Sequence, residues 1–125
     1  MSTAVVSQND ALWSSEAVDS ALGATAQAVS TATGTIYQVE VDNTANTSAA
    51  SYVKVWSTAV GSLTVGTDAP IAIFPAPAGA KVCYTFPYGK GVYSANYITW
   101  ACVTAAGTAG TSSPSASVVA KMIFS

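Results

Sequence analysis

Residues 35–56 read Thr-Ile-Tyr-Gln-Val-Glu-Val-Asp-Asn-Thr-Ala-Asn-Thr-Ser-Ala-Ala-Ser-Tyr-Val-Lys-Val-Trp. Two sets of apolar residues alternate with mostly polar ones, Tyr37, Val39 and Val41 before the centre and Val53 and Val55 after it. This period of two is typical of a strand with one face toward solvent. The Asn, Thr, Ser and Ala residues between the two sets have the composition of a turn. The stretch therefore predicts a β-hairpin.

The chain as a whole is unusually poor in charged residues. The chain has 125 residues, the size of one domain. Charged residues make up 8% of it, against about 25% in an ordinary soluble domain. Because a free monomer normally uses charge to stay soluble and to protect its sheet edges, we expect much of the surface to be covered by copies of the chain or by a partner.

The sparse charge argues against several classes of partner and reaction. Lys54, Lys81, Lys90 and Lys121 stand singly, there is no Arg or His, and the net charge is −2. Nucleic-acid binding needs clustered cations, and an anionic membrane repels a net negative chain. Without His, catalytic Ser-His and Cys-His pairs are excluded. The beginning of the chain lacks a signal-peptide pattern, and its uncharged stretches contain too many Ser, Thr, Gly and Pro residues for a membrane span. We expect a protein made in the cytoplasm.

Turn signals recur about every ten residues through the rest of the chain. Further strands are expected over residues 24–29, 71–74, 80–86, 92–104 and 117–124, the fourth of them straight or bent near Asn96. This spacing is typical of an all-β, antiparallel two-sheet sandwich. A jelly-roll-like winding is expected, with an immunoglobulin-like key as the alternative. The closing strand would leave an exposed edge unless it is interior or paired with another chain.

The beginning of the chain lacks clear alternation. Residues 1–23 are predicted to form an extended N-terminal arm, and residues 24–125 the sandwich domain. A short helix from Ser14 or Ser15 to Leu22, stopped by the following glycine, is the alternative. The apolar residues of the arm are its expected partner-binding residues: Val5, Val6, Leu12 and Trp13.

Two groups of acidic and amide residues could form a catalytic or a metal site, but each also has a simpler structural interpretation. Glu40 and Asp42 share a strand face about 6–7 Å apart, a separation known from glycosidase carboxylates, but an exposed polar face has the same pattern. Asp42, Asn43, Asn46 and Asp68 could bind calcium if their loops met. Turn residues of these types more often bond to their own backbone. We therefore expect no catalytic residues and no metal.

The two cysteines are Cys83 and Cys102. If the strand of Cys83 pairs with the next strand across a turn at 87–91, Cys83 faces a residue near Ala95, far from Cys102. Two buried free thiols are the preferred interpretation.

Aromatic residues concentrate between positions 84 and 100. They form the candidate interface or glycan-facing set, Tyr84, Tyr88, Tyr93, Tyr97 and Trp100, with Phe86 among them. Exposed aromatic side chains on a sandwich can stack on sugar rings, whereas alternating aromatics are more often core or interface residues.

Four segments together resemble a known pattern. They are Gly-Thr-Ile-Tyr-Gln-Val-Glu-Val-Asp-Asn-Thr-Ala-Asn at 34–46, Ser-Tyr-Val-Lys-Val-Trp at 51–56, Val-Gly-Thr-Asp-Ala-Pro-Ile at 65–71 and Phe-Pro-Ala-Pro-Ala-Gly at 74–79. The order is similar to that of small β-sandwich virion proteins of tailed phages, especially of aquatic or cyanobacterial hosts. The resemblance covers about residues 24–104 and includes capsid decoration, or cement, proteins.

This resemblance implies a structural function and no enzymatic one. A decoration protein would bind the outer capsid surface as a homotrimer, contact the major capsid protein, and stabilise the head after assembly in the host cytoplasm. No cofactor and no catalytic motif come with the family. The alternative is a tail-fibre, head-fibre or knob domain that binds host glycans through the aromatic residues. A depolymerase built on Glu40 and Asp42 is the enzymatic alternative.

Overall fold

The computed structural model describes residues 3–7, 14–87 and 89–125. Within these ranges it contains ten strands and one short 3-10 helix, Val60–Ser62. The strands are β1 (Ala4–Ser7), β2 (Ser15–Asp19), β3 (Gln27–Ser30), β4 (Gly34–Asp42), β5 (Ser51–Trp56), β6 (Ala72–Ala76), β7 (Lys81–Thr85), β8 (Val92–Ser94), β9 (Ile98–Val103) and β10 (Val119–Phe124).

The strands form two antiparallel sheets. Sheet A has the order β1-β2-β10-β4-β7, with β8 also pairing with β4, and sheet B has the order β3-β9-β5-β6. From β2 onward the chain alternates between the sheets, with two successive strands in sheet B (β5 and β6) and two in sheet A (β7 and β8). This is the winding of a jelly roll. The predicted all-β, jelly-roll-like two-sheet sandwich is therefore confirmed.

The core lies between the two sheets and is built by alternation along each strand. Fully buried residues of β4, β9 and β10 supply much of it, among them Ile36, Trp100 and Met122. The phase of β4 changes at Tyr37, where a register shift lies opposite the end of β10. Tyr37 is therefore half-buried, and the prediction that it shares the inner face with Val39 is wrong.

The predicted hairpin at residues 35–56 is wrong, although both of its strands exist. β4 belongs to sheet A and β5 to sheet B, so residues 43–50 cross from one sheet to the other. β4 pairs with β10, β7 and β8, and β5 pairs with β6 and β9. Sequence alternation determines which side chains face the core, but it does not determine which strands pair.

A second predicted pairing also fails. β7 and β8 do not pair across residues 87–91, since both pair with β4, one after the other along its length. The chain then bends at residues 95–97 and continues into sheet B as β9. The expected bend near Asn96 in the strand over residues 92–104 is thus confirmed. β10 lies between β2 and β4, so the closing strand is interior.

The described part of the first 23 residues is built into the sandwich. β1 pairs with β2, and β2 pairs with β10. Ala17 and Leu22 lie in the core at 0% and 2% exposure. The alternative of a short helix ending at Leu22 is wrong, because residues 15–19 form a strand. The predicted boundary at residue 23 does not match the structure either, since β2 is a strand of sheet A.

The accessible surface of the chain is 6144 Å². A compact monomer of 12.5 kDa is expected to expose about 6,200 Å². The sandwich therefore closes its own core.

Candidate functional site

The outer face of sheet A carries an exposed ion-pair cluster. Glu40 lies 3.6 Å from the Lys81 ammonium and 3.9 Å from the Lys121 ammonium, measured to one carboxylate oxygen. Asp42 accepts hydrogen bonds from the hydroxyl and the amide of Thr44, and the hydroxyl bond in particular holds the pKa of Asp42 below its ordinary value. These two carboxylates are engaged with neighbours on a solvated strand face, as the simpler interpretation of the pair expects.

A buried polar cluster closes one end of the sandwich where β4 ends. Asn43, which is fully buried, donates from Nδ2 to the carbonyls of Ala49, Ala76 and Pro77 at 3.0–3.3 Å. Its Oδ1 accepts from Ser51 Oγ at 2.7 Å and from Asn46 Nδ2 at 2.9 Å. The Val-Asp-Asn and Pro-Ala-Pro-Ala-Gly segments of the resemblance therefore meet in space, and Asn43 joins them.

The four residues weighed as calcium ligands already make hydrogen bonds within the fold. Asn46 Oδ1 accepts from the amide of Ala116 at 2.8 Å. The side-chain oxygens of Asn43 and Asn46 therefore both accept hydrogen bonds within the fold. Asp68 lies in the loop after β5, where it accepts from the amide of Thr64 at 2.8 Å. Among the described residues, no group of three or more Cys, Asp or Glu side chains could hold a metal ion.

The outer face of sheet B is covered by two loops, residues 57–71 and 104–118. Trp56 Nε1 donates to the carbonyl of Asp68 at 2.8 Å, and Thr99 Oγ1 donates to the carbonyl of Thr58 at 2.6 Å. The loops meet at Gly66, where a Cβ would lie 2.4 Å from the side chain of Thr111. We call these two loops the loop cover. It explains why the outward-facing residues of β9 are buried as well as those that face the core.

Lys54 lies beneath this cover with 1% exposure. Alternation places it on the outer face of β5, where the sequence predicts contact with solvent. Its Nζ donates to the carbonyl of Gly107 in the second loop at 2.5 Å. No carboxylate pairs with it among the described ion pairs. Burial lowers the pKa of Lys54 from its ordinary value.

The aromatic set predicted from the sequence is divided among different environments. Trp100 is fully buried in the core and cannot stack on a sugar. Tyr84 is half-buried; its ring packs on Phe74 at 5.3 Å, and burial raises its pKa. Tyr93 is 64% exposed, and Tyr97 is half-buried. Tyr88 lies outside the described residues.

The beginning of the chain is tied to the core by a chain of hydrogen bonds. Trp100 Nε1 donates to Thr3 Oγ1, and Thr3 Oγ1 donates to Asp19 Oδ2, both at 2.9 Å. Asp19 is fully buried, and its other oxygen accepts from the amide of Ala21 at 3.0 Å. This arrangement fixes the chain just before β1.

Of the four predicted anchors, the structure describes the side chain of only one. Val5 is 44% exposed on β1. Val6 lies in the same strand, where its side chain is not described, and Leu12 and Trp13 lie outside the described residues.

Both cysteines are free, as predicted, but only one is buried. Cys102 lies in the core, and burial raises its pKa to about 12. Cys83 is exposed on the outer face of β7, so the prediction of two buried thiols is wrong for it.

One surface feature was missed by the sequence interpretation. Ile71 and Ile73 are exposed at 43% and 38%, and Pro75 is exposed beside them. Their spacing of two residues places them in one row on the outer face at the edge of sheet B. The run from Ile71 to Phe74 is apolar throughout, so alternation does not show which of its side chains face outward. The pairing of Ile73 with Lys54 and of Pro75 with Tyr52 assigns the face.

Comparison with known proteins adds no family. A scan against protein-family models finds no match, and a search of curated proteins finds none either. Within the described residues, no helix is both long and apolar enough to cross a bilayer.

Proposed function

We propose that this protein is a structural component of a phage virion, a capsid decoration protein that binds the outer capsid surface as a homotrimer and stabilises the head. The major capsid protein is its proposed partner. The observation that carries the proposal is the combination of a closed jelly roll with a surface that has few charges and exposes Ile71 and Ile73.

The physical argument starts from solubility. A freely diffusing domain is normally protected from association by many charges of both signs, and this chain has ten charged residues in all, four basic and six acidic. The core of the sandwich is already closed. The low number of charged residues is therefore not explained by a core that another chain must complete. A protein that is permanently bound to other subunits has less need of surface charge to prevent association.

The fold supports the proposal only by analogy. Jelly rolls occur in viral capsid proteins, but also in lectins and cupins. The chain lacks His, and its exposed acids Glu40 and Asp42 are engaged with Lys81, Lys121 and Thr44. These features favour a structural function over a hydrolytic one.

The glycan-binding alternative has less support. Stacking on sugars needs several aromatic faces exposed side by side, and Trp100 and Tyr84 are turned into the sandwich. Tyr93 is the strongly exposed aromatic side chain among the described residues.

The test is binding to undecorated capsids assembled from the major capsid protein of the same genome. We expect the purified chain to cosediment with them, to saturate at a fixed number of copies per capsid, and to raise the temperature at which the capsids rupture. Absence of cosedimentation at micromolar concentration would contradict the proposal. A purified chain that instead binds host polysaccharide, seen as a change in Trp fluorescence, would favour the glycan-binding alternative.

The proposed partner-binding residues Leu12 and Trp13 need a narrow variant, because removal of the whole segment up to residue 23 would delete β2 and unfold the sandwich. We propose the double variant Leu12→Ser/Trp13→Ser, which changes only residues between β1 and β2. Its decoration of capsids should weaken, and circular dichroism at the assay temperature shows whether the variant remains folded. Wild-type occupancy would show that these residues are not anchors.

A further inference from the structure

The charged residues of the chain are concentrated on one side of the sandwich. Alternation and strand pairing place five of them on the outer face of sheet A, Glu16, Glu40, Asp42, Lys81 and Lys121. Lys81 and Lys121 lie in exposed positions around Glu40. This side of the molecule has the mixed charges that are typical of a solvent-facing surface.

The opposite side carries almost no charge. Residues 55–67, 69–80 and 91–120 contain no charged side chain at all, and they supply β6, β9 and the loop cover. Lys54 is buried beneath the cover, and Asp68 is half-buried with one oxygen bonded to a loop amide. We call this side, formed by the exposed row of Ile71, Ile73 and Pro75 and the outer surface of the loop cover, the neutral face.

The neutral face is not suited to extension of the sheet by a further strand. Pro75 has no amide hydrogen and therefore cannot donate to a neighbouring strand. Its carbonyl is already occupied, since it accepts the hydroxyl of Tyr84. A partner at this edge would therefore contact side chains and loops rather than form a new ladder.

We propose that the neutral face is the surface through which copies of this chain associate. Covering a charged group without a partner costs several kcal/mol, so the occupant of this face must itself be free of unpaired charge at the contact. The neutral face of another copy meets that requirement, whereas the outer face of sheet A would bring Glu16, Glu40 and Lys81 against apolar groups. Ile71 and Ile73 would supply the apolar contact.

This inference extends the proposed function by locating the contact between copies. That the copies form trimers rests on the proposed function. In a closed trimer each subunit would place its row of Ile71, Ile73 and Pro75 against the loop cover of the next subunit. The outer face of sheet A would then face solvent.

The test compares one added charge on each side of the sandwich. Ile71→Asp places a carboxylate in the neutral face, away from the position opposite Lys54, and the control Thr85→Asp places one on the exposed outer face of β7 in sheet A. Sedimentation velocity in reducing buffer, over about 1–100 μM, measures association. We expect the wild type to associate, Ile71→Asp to raise the dissociation constant at least tenfold, and Thr85→Asp to change it less than about threefold.

Two results would overturn the inference: a wild type that stays monomeric up to about 100 μM, or variants that weaken association equally. Circular dichroism shows whether Ile71→Asp folds, and Val60→Asp, at an exposed position of the loop cover, serves in its place if it does not. A monomeric chain that still decorates capsids would refute this inference and leave capsid decoration standing without the trimer. Dimers that depend on Ile71 would support the neutral face and contradict the homotrimer.

Discussion

Replacing Lys54 with Met should stabilise the protein at neutral pH. Met keeps an unbranched apolar stem of similar length, and it removes an ammonium that is 1% exposed. The substitution loses the hydrogen bond from Nζ to the Gly107 carbonyl. Because Gly107 lies in an exposed part of the loop cover, water can replace that bond at its carbonyl.

The magnitude follows from two opposing contributions. Burying an ammonium costs several kcal/mol, and one hydrogen bond from a charged donor returns about 1.5–3 kcal/mol. Removing both should leave Lys54→Met more stable by about 1–3 kcal/mol at pH 7. For a domain of this size each kcal/mol corresponds to roughly 4 °C in Tm.

The gain should depend on pH in a defined direction. Burial lowers the folded-state pKa of Lys54 below its ordinary value of 10.5, so the charged form is disfavoured in the folded protein. Its destabilising effect is fully present below the folded pKa and disappears as pH rises through that pKa toward 10.5. The advantage of the Met variant should therefore shrink over that interval.

Urea unfolding at pH 7 and at pH 10.5 measures the effect, with Lys81→Met as the control. Lys81 has a 54% exposed side chain and a 3.6 Å contact with Glu40, so its replacement should change stability by less than about 1 kcal/mol. If Lys54→Met is less stable than the wild type at pH 7, or if its advantage is the same at both pH values, the account of a buried, unpaired ammonium is wrong.

Three further predictions test the polar cluster, a close backbone approach and the two thiols. Asn43→Ala should lower the free energy of unfolding by about 2–4 kcal/mol, because it leaves buried carbonyls and a buried hydroxyl without partners; urea denaturation measures this, and a loss below about 1 kcal/mol would contradict it. Gly91→Ala should destabilise the fold, since its Cβ would lie 2.3 Å from a β4 carbonyl oxygen, whereas Gly61→Ala, with nothing within 4 Å, should be nearly neutral in the same assay. In the native protein a thiol reagent should modify Cys83 rapidly and Cys102 only on unfolding, as mass spectrometry of the labelled chain would show; equal labelling rates would refute the assigned burial.

The sequence predicts the positions of most strands because alternation is a local property. Residues 80–86 show this, since Val82 and Tyr84 pack against the core while Lys81 and Thr85 are exposed, as their spacing indicates. The partners of the strands are not local. β4 and β5 are close in sequence and were expected to pair, but the eight residues between them cross between the sheets, anchored by Asn43.

The candidate surface was predictable only in part. The low charge of the chain pointed to a covered surface, but its location depends on how two distant loops fold. Lys54 alternates as a solvent-facing residue, and only the loop cover, which includes Gly107, explains its burial. The apolar row of Ile71 and Ile73 emerges only when the pairing of β6 with β5 assigns its outer face. The sequence does not reveal that the segment before residue 23 contributes β2 to the sandwich. This strand contains an inward-facing acid, Asp19, which breaks the expected alternation and is held by Thr3.

A cryo-electron microscopy map of the decorated capsid tests the central claim most directly. We expect density for this chain on the outer capsid surface in groups of three, with Ile73 at a subunit contact and Glu40, Lys81 and Lys121 facing solvent. Density confined to the tail, or a chain attached to the shell through the outer face of sheet A, would contradict the account.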